Sequence, residues 1–211
     1  MYIAGVGSRE VPESVLEVMI RLGRTYTDLG YQMSSGDAWD SDRAFVYGAQ
    51  QSRRYSEVGA RVFLCKDGVN GRWIEENPFY YNAQHFDASI ITAARAMACT
   101  ARDGFGGLNE FGISLHARNV YQIHGANLDA PVCGIWFYAE PDGRTKVKGG
   151  TNTAFQLAKM ANVPLIKNLY FKETIDEALA WLAEHELPYA YDETDWYAIH
   201  KPSDPRLTEF D

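Results

Sequence analysis

Two glycine-bearing stretches in this chain carry the residue types that hold a small anion. In Gly5-Val-Gly7-Ser8-Arg9 the glycines let backbone N–H groups come close to a ligand, Ser8 adds a hydroxyl, and Arg9 adds a guanidinium fork suited to phosphate. In Gly149-Gly150-Thr151-Asn152-Thr153 a glycine pair opens an apolar stripe of helical spacing, Ala154, Leu157, Ala158 and Ala161. Free backbone N–H groups and the positive end of a helix dipole would then face the same point. A plain N-cap by Thr151 or Asn152 is the alternative, but capping alone explains no second glycine. Glu110 is the best placed acid or base, with Arg118 and Asn119 on the following helical pattern as orienting partners. A solvated first turn accounts for Glu110 equally well. Asp37, Asp40 and Asp42 are close enough to share a divalent cation, yet solvated or capping roles are the expectation. His85, His116 and His124 lack metal-ligand spacing, so no metal site is expected, and no motif implies a cofactor.

Such loops need strands to end on. Tyr2 to Val6 is an apolar run ending at the first glycine turn, and Pro12 opens a helical pattern that continues to Leu29. Tyr31 to Ser34 reads as a second strand, followed by a loop and a helix through Ala49, and Ala60 to Cys65 as a third strand. Lys66 to Phe86 is irregular and rich in aromatics, either a stacking wall for a base or a loop pinned to the core. Helical patterns follow at 87–102 and 110–125. Pro131 to Ala139 is a continuous apolar run, as expected of a strand buried on both faces. The second glycine loop, its helix, a strand over 163–168 and a helix over 173–186 complete the body. Strands alternating with helices predict an α/β fold, a Rossmann-like parallel sheet sandwiched by helices, with ligands bound where strand order reverses. Arg144, Lys146 and Lys148 alternate in an extended loop, as a phosphate lid or as the guarded edge of a hairpin.

The helical and strand periodicity ends at Glu186, which divides the chain into a body, residues 1–186, and an acidic, aromatic C-terminal tail, residues 187–211. Residues 1–171 balance 17 Lys and Arg against 17 Asp and Glu, whereas residues 172–211 hold 3 against 11, which accounts for the whole net charge of −8. The lack of a basic excess over residues 1–171 disfavours a nucleic-acid partner, whose affinity rests on neutralised phosphates, but leaves room for one small phosphorylated ligand. Tyr189, Tyr191, Trp196 and Tyr197 make the tail too apolar for a disordered segment, so it is expected to pack on the body or on a partner. Because every glycine loop precedes Glu186, a body ending there is expected to fold alone. Three widely spaced cysteines in apolar runs fit a reducing cytoplasm, and no stretch has the length of a membrane span.

Taken together, Gly7-Ser8-Arg9, Ser35-Gly36-x-Ala38 with Asp42 and Gly48-Ala49, and Gly149-Gly150-Thr151-x-Thr153-Ala154 with Asn162-x-Pro164 resemble the SLOG superfamily. The pattern is most similar to its DNA-processing protein A (DprA)-like branch, encoded by bacteria and their phages. The resemblance spans Ile3 to Leu169. It implies a nucleotide or nucleotide-derived ligand bound by these loops, with Ser35, Gly36 and Asp42 among the contacts, and it commonly goes with homo-oligomers. Small residues at Ala93, Ala94, Ala96 and Ala98 would permit close helix packing in a dimer or larger assembly. Relatives include nucleotide sensors, phosphoribohydrolases and single-strand-DNA-binding recombination mediators, so three functions follow. These are binding or sensing without chemistry, N-glycosidic cleavage of a nucleoside monophosphate assisted by Glu110, and DNA binding. Asp37 and Asp40 stand where the resemblance expects glycines, which points that loop to ribose hydroxyls, base edges or capping. Gln156 lies where the hydrolases carry their glutamate region, so their mechanism is not carried over.

Overall fold

The computed structural model describes residues 1–209. Six parallel strands form one sheet: β1 (Tyr2–Gly7), β2 (Gln32–Ser35), β3 (Ala60–Leu64), β4 (Tyr80–Asn82), β5 (Gly134–Tyr138) and β8 (Leu165–Asn168), in the order β4-β3-β2-β1-β5-β8. Order reverses between β1 and β5, so the chain ends of these two strands open a crevice. A two-stranded antiparallel hairpin, β6 (Pro141–Asp142) and β7 (Lys146–Val147), follows β5, which makes the alternating cations part of a hairpin.

Helices cover both faces. On one lie α1 (Glu13–Asp28), α2 (Ser41–Gln50) and α7 (Lys172–His185), over a core that includes Leu16, Met19, Phe45, Met33 and Leu182. On the other lie α4 (Ala88–Arg102), α5 (Glu110–His124) and α6 (Thr151–Met160), over Phe63, Tyr121, Ile135, Phe137 and Leu157. Two glycines set the spacing of α1 against α2. A Cβ on Gly23 would stand 2.1 Å from the Phe45 carbonyl oxygen, and one on Gly48 would stand 1.9 Å from that of Ile20. No residue with a side chain fits either position, so the two backbones touch. Ala94 and Ala98 are buried within the chain itself, while Ala93 and Ala96 face outward.

Two elements lie outside the sequence expectation. The short helix α3 (Tyr55–Val58) and the strand β4 are four and three residues long, too short for a period to be read. The aromatic stretch around β4 is pinned to the core, with Phe79 edge-on to Tyr55 and Tyr81 tilted against Phe63.

The C-terminal segment is part of the packing. Glu186 accepts hydrogen bonds from Arg21 and Arg24, the Arg21 Nη2 contact being 2.7 Å. The Tyr189 hydroxyl donates to Asp28 at 2.8 Å, and Arg24 lies 3.5 Å from the centre of the Tyr191 ring. The short helix α8 (Trp196–Ile199) then brings Ile199 and His200 into the interior, both fully buried. His200 Nδ1 is 3.0 Å from the Asp40 carboxylate, and Arg206 donates to the same carboxylate at 3.1 Å and to the Val11 carbonyl at 2.9 Å. Asp40 is itself 1% exposed and accepts from the Val11 N–H at 3.1 Å. The expectation of a solvated Asp40 is thereby corrected, because a carboxylate at this depth needs all of these donors.

Deleting residues 187–211 removes the buried side chains of Ile199, His200 and Leu207 and opens the Asp40 site to water, and loss of a buried aliphatic side chain alone costs about 2–5 kcal/mol. The urea midpoint of the shortened chain should fall accordingly; an unchanged midpoint would return the segment to the status of an appendage. A pH effect is expected at Glu186. Burial opposes its ionisation, but the Arg21 hydrogen bond and the two guanidiniums outweigh that and hold its pKa below the ordinary value. A depressed folded pKa means stability that is present above the unfolded value and lost as pH falls through the folded one. The stability gap between wild type and Glu186→Gln should therefore be largest near neutral pH and close below about pH 4.

Candidate functional site

At the carboxyl ends of β1 and β5, where strand order reverses, lies a cleft of about 720 Å³. Its walls bring together Gly7, Ser8 and Arg9 from the loop after β1, Tyr138 to Glu140 from the end of β5, and Gly149, Gly150 and Thr151 at the start of α6. Arg118, Asn119 and Asp42 line it as well. Loops some 140 residues apart in sequence thus meet, because parallel crossovers return every strand in the same direction.

The floor is built on Asp42. At 2% exposure, its Oδ1 accepts from the Gly7 N–H at 3.2 Å and its Oδ2 from the Ala38 N–H and from Gln122 Nε2, both at 3.3 Å. Arg118 Nη2 lies 3.6 Å from the same oxygen, and Arg118 Nη1 donates to the Gly36 carbonyl at 2.6 Å. Burial pushes the Asp42 pKa up, while Arg118 and the two backbone N–H groups push it down; the net displacement is upward. Asp37 is shifted upward by burial too, against Arg43 and Arg72, and Arg43 stacks 3.3 Å from the Trp39 ring centre. Each of the three aspartates is thus buried and held by arginine rather than solvated, and among the described residues no cluster could hold a metal ion.

The rim carries two cations, Arg9 and Lys148, and two acids, Glu10 and Glu140. Arg9 is exposed and makes no hydrogen bond or ion pair among the described residues. Lys148 is paired with Glu140 at 2.7 Å. Asn119 Nδ2 donates to the Gly150 carbonyl at 3.2 Å, which fixes the α6 start against α5. Gly149 has φ +72°, so only it, and not Gly150 with φ −65°, requires glycine for its backbone. A Cβ on Gly150 would meet nothing nearer than His116 at 4.0 Å. Asn168 staples the β5 end, accepting from the Ala139 N–H at 3.1 Å and from the Tyr170 N–H at 3.1 Å. This sets the rings of Tyr170 and Tyr138 5.7 Å apart at the mouth.

Four of the expected residues stand elsewhere. The Ser35 hydroxyl donates to the Gly5 carbonyl at 2.6 Å and is fully buried, joining β2 to β1 beneath the floor. Gly36 lies under Arg118 and Gln122, where a Cβ would stand 2.2 Å from Gln122 Nε2. Asn152 lies in a neighbouring concavity, and its Oδ1 accepts from the Val147 N–H at 3.1 Å, anchoring the hairpin. Glu110 is on the surface with 78% of its side chain exposed, paired with Arg95, and does not line the cleft. Its position follows from the Asn109 cap: Asn109 Oδ1 accepts from the Gly112 N–H at 2.9 Å, and the first turn of α5 then points Glu110 outward.

Sequence reasoning passed over Gln122, Leu115, Tyr138 and Tyr170, and weighed His116 only as a metal ligand. For α5 a signal existed, since Gly112, Leu115, His116, Asn119 and Gln122 recur every three or four residues and line the cleft as one stripe. Compared with protein-family models, curated proteins and solved structures, the chain matches none.

Asp42→Asn should show how far the floor depends on its charge. The amide cannot accept on both sides, so one backbone N–H and Arg118 lose their partner, at a cost of about 3–5 kcal/mol. Urea denaturation should report that loss, and a change within the error of the midpoint would show that the floor does not need the carboxylate.

Proposed function

We propose that the protein binds a nucleotide or nucleotide-derived phosphorylated small molecule in the β1/β5 cleft, as a SLOG-type, DprA-like holder or sensor. The observation that carries the reading is the convergence of two independent glycine loops, Gly7-Ser8-Arg9 and Gly149-Gly150-Thr151, on one cleft at the strand-order reversal. In this reading the phosphate lies between Arg9 and the start of α6, where helix N–H groups and dipole favour an anion. The tyrosine pair at the mouth offers an aromatic face to a base. Binding rather than glycosidic cleavage is the reading preferred, because Glu110 stands outside the cleft and Asp42 is fully engaged in holding the floor. Binding of single-stranded DNA finds no support in the even charge balance of the first 171 residues.

Calorimetric titration with AMP and GMP as probes tests this. Arg9→Ala should weaken either nucleotide by about 1.5–3 kcal/mol, the range of a hydrogen bond to a charged group, and leave the weaker binding of adenosine or guanosine unchanged. Gly150→Val needs no special backbone angle and projects two methyl groups into the cleft, so it should abolish binding at an unchanged melting temperature. If neither nucleotide binds the wild type, or if Arg9→Ala lowers nucleotide and nucleoside equally, the phosphate assignment is wrong.

A further inference from the structure

A second concavity, of about 360 Å³, adjoins the main cleft and shares His116, Lys148 and Gly149 with it. Four elements wall it, among them the start of α6 with Asn152 and Thr153. Arg102 comes from the last residue of α4, His116 from α5, and Lys146 and Lys148 from the hairpin. Asp142 is the one acid in its lining. Lys148 is already paired with Glu140, whereas Lys146 has no ion pair among the described residues. Arg102 spends Nη1 on the Gly104 carbonyl at 2.8 Å and has no carboxylate partner among the described residues. His116 sits where the two spaces meet, its Nδ1 2.8 Å from the Thr153 hydroxyl. Burial lowers its pKa, and the guanidiniums of Arg102 and Arg118 push it the same way.

We infer that this second concavity receives a second phosphoryl group of the ligand bound in the main cleft, which makes the preferred ligand a nucleoside diphosphate rather than a monophosphate. The inference rests on the reading proposed above. Two adjoining spaces, each with an arginine lacking an anionic partner among the described residues, suit one ligand carrying two anionic centres. A guanidinium matches phosphoryl oxygens better than an isolated ammonium does. The hairpin is rigidly placed for this, because Gln156 Nε2 donates to the Thr145 carbonyl at 2.8 Å and the Val147 N–H is held by Asn152. The Asp142 carboxylate at the edge would discriminate against longer, more highly charged chains.

The test is titration of the full-length protein with ADP and AMP, and with GDP and GMP, each with and without inorganic phosphate. Wild type should bind the diphosphate at least about tenfold tighter than the monophosphate, a gap on the scale of one charge-assisted contact. Arg102→Ala with Lys146→Ala should erase that preference and leave monophosphate affinity unchanged. Lys146→Glu, which leaves the Arg102–Gly104 bond intact, should reverse the preference without lowering the melting temperature. Equal affinity for mono- and diphosphate in wild type overturns the inference while leaving the function standing. So does an equal loss of both in the variants, which is a field effect on the main cleft alone. Free phosphate should bind beside the monophosphate and be excluded by the diphosphate; should it bind equally well in the presence of either nucleotide, the concavity is a separate ion site and the single-ligand inference fails. Absence of binding by all four nucleotides removes the proposed function, and the inference with it.

Discussion

A carboxylate at 2% exposure needs donors on both oxygens, and at Asp42 those donors come from three parts of the chain. The Gly7 N–H belongs to the end of β1, the Ala38 N–H to the loop after β2, and Gln122 and Arg118 to α5 on the opposite face of the sheet. Satisfying this one group draws the first glycine loop, the second loop and the cleft-lining helix into a common floor. The α6 start is then added through Asn119 and the Gly150 carbonyl. The positions of Arg9, Gly149 and Thr151 around the opening follow from how the floor is tied.

Asp37 and Asp40 repeat the device one step further out. Asp37 is held by Arg43 at 3.0 Å, and Asp40 by His200, Arg206 and the Val11 N–H. The β2–α2 loop, which carries three acids in six residues, is thus neutralised from within the chain. Burying charges in this way adds little net stability compared with an apolar core, since desolvation offsets most of the attraction. In this arrangement the loop, the β1 exit and the C-terminal segment together satisfy all three carboxylates. The tail's contribution is therefore a matter of specific basic and aromatic residues rather than of its net acidity.

Cation placement around the cleft is the complement of this. Arginines that neutralise the buried acids are occupied, whereas Arg9 and Lys146 have no anionic partner and lie at the openings of the two adjoining spaces. Acids stand beside them, Glu10 and Glu140 in the cleft and Asp142 in the second concavity, and of these Glu140 is paired with Lys148. The helix dipole at the start of α6 favours an anion there.

Most of the fold was legible from periodicity. Strands ending in glycine turns, helices over 13–28, 88–102, 110–124 and 172–185, and a continuously apolar β5 are local patterns, because side-chain period and turn chemistry act within a few residues. The two glycine loops were legible as strand-end and helix-start turns for the same reason, and the structure brings them to one cleft. What tertiary structure alone decided is which polar groups are buried. Asp37, Asp40 and Asp42 read as a solvated run until Arg43, Arg118, His200 and Arg206 are brought to them from up to 166 residues away. Glu110 and Gln122 lie on the same helix, yet one faces solvent and the other the cleft, and the phase of α5 against the sheet sets which. Spacing along a chain determines which residues share a face; where that face points depends on the packing of elements distant in sequence, and the charge balance of a buried site is settled only there.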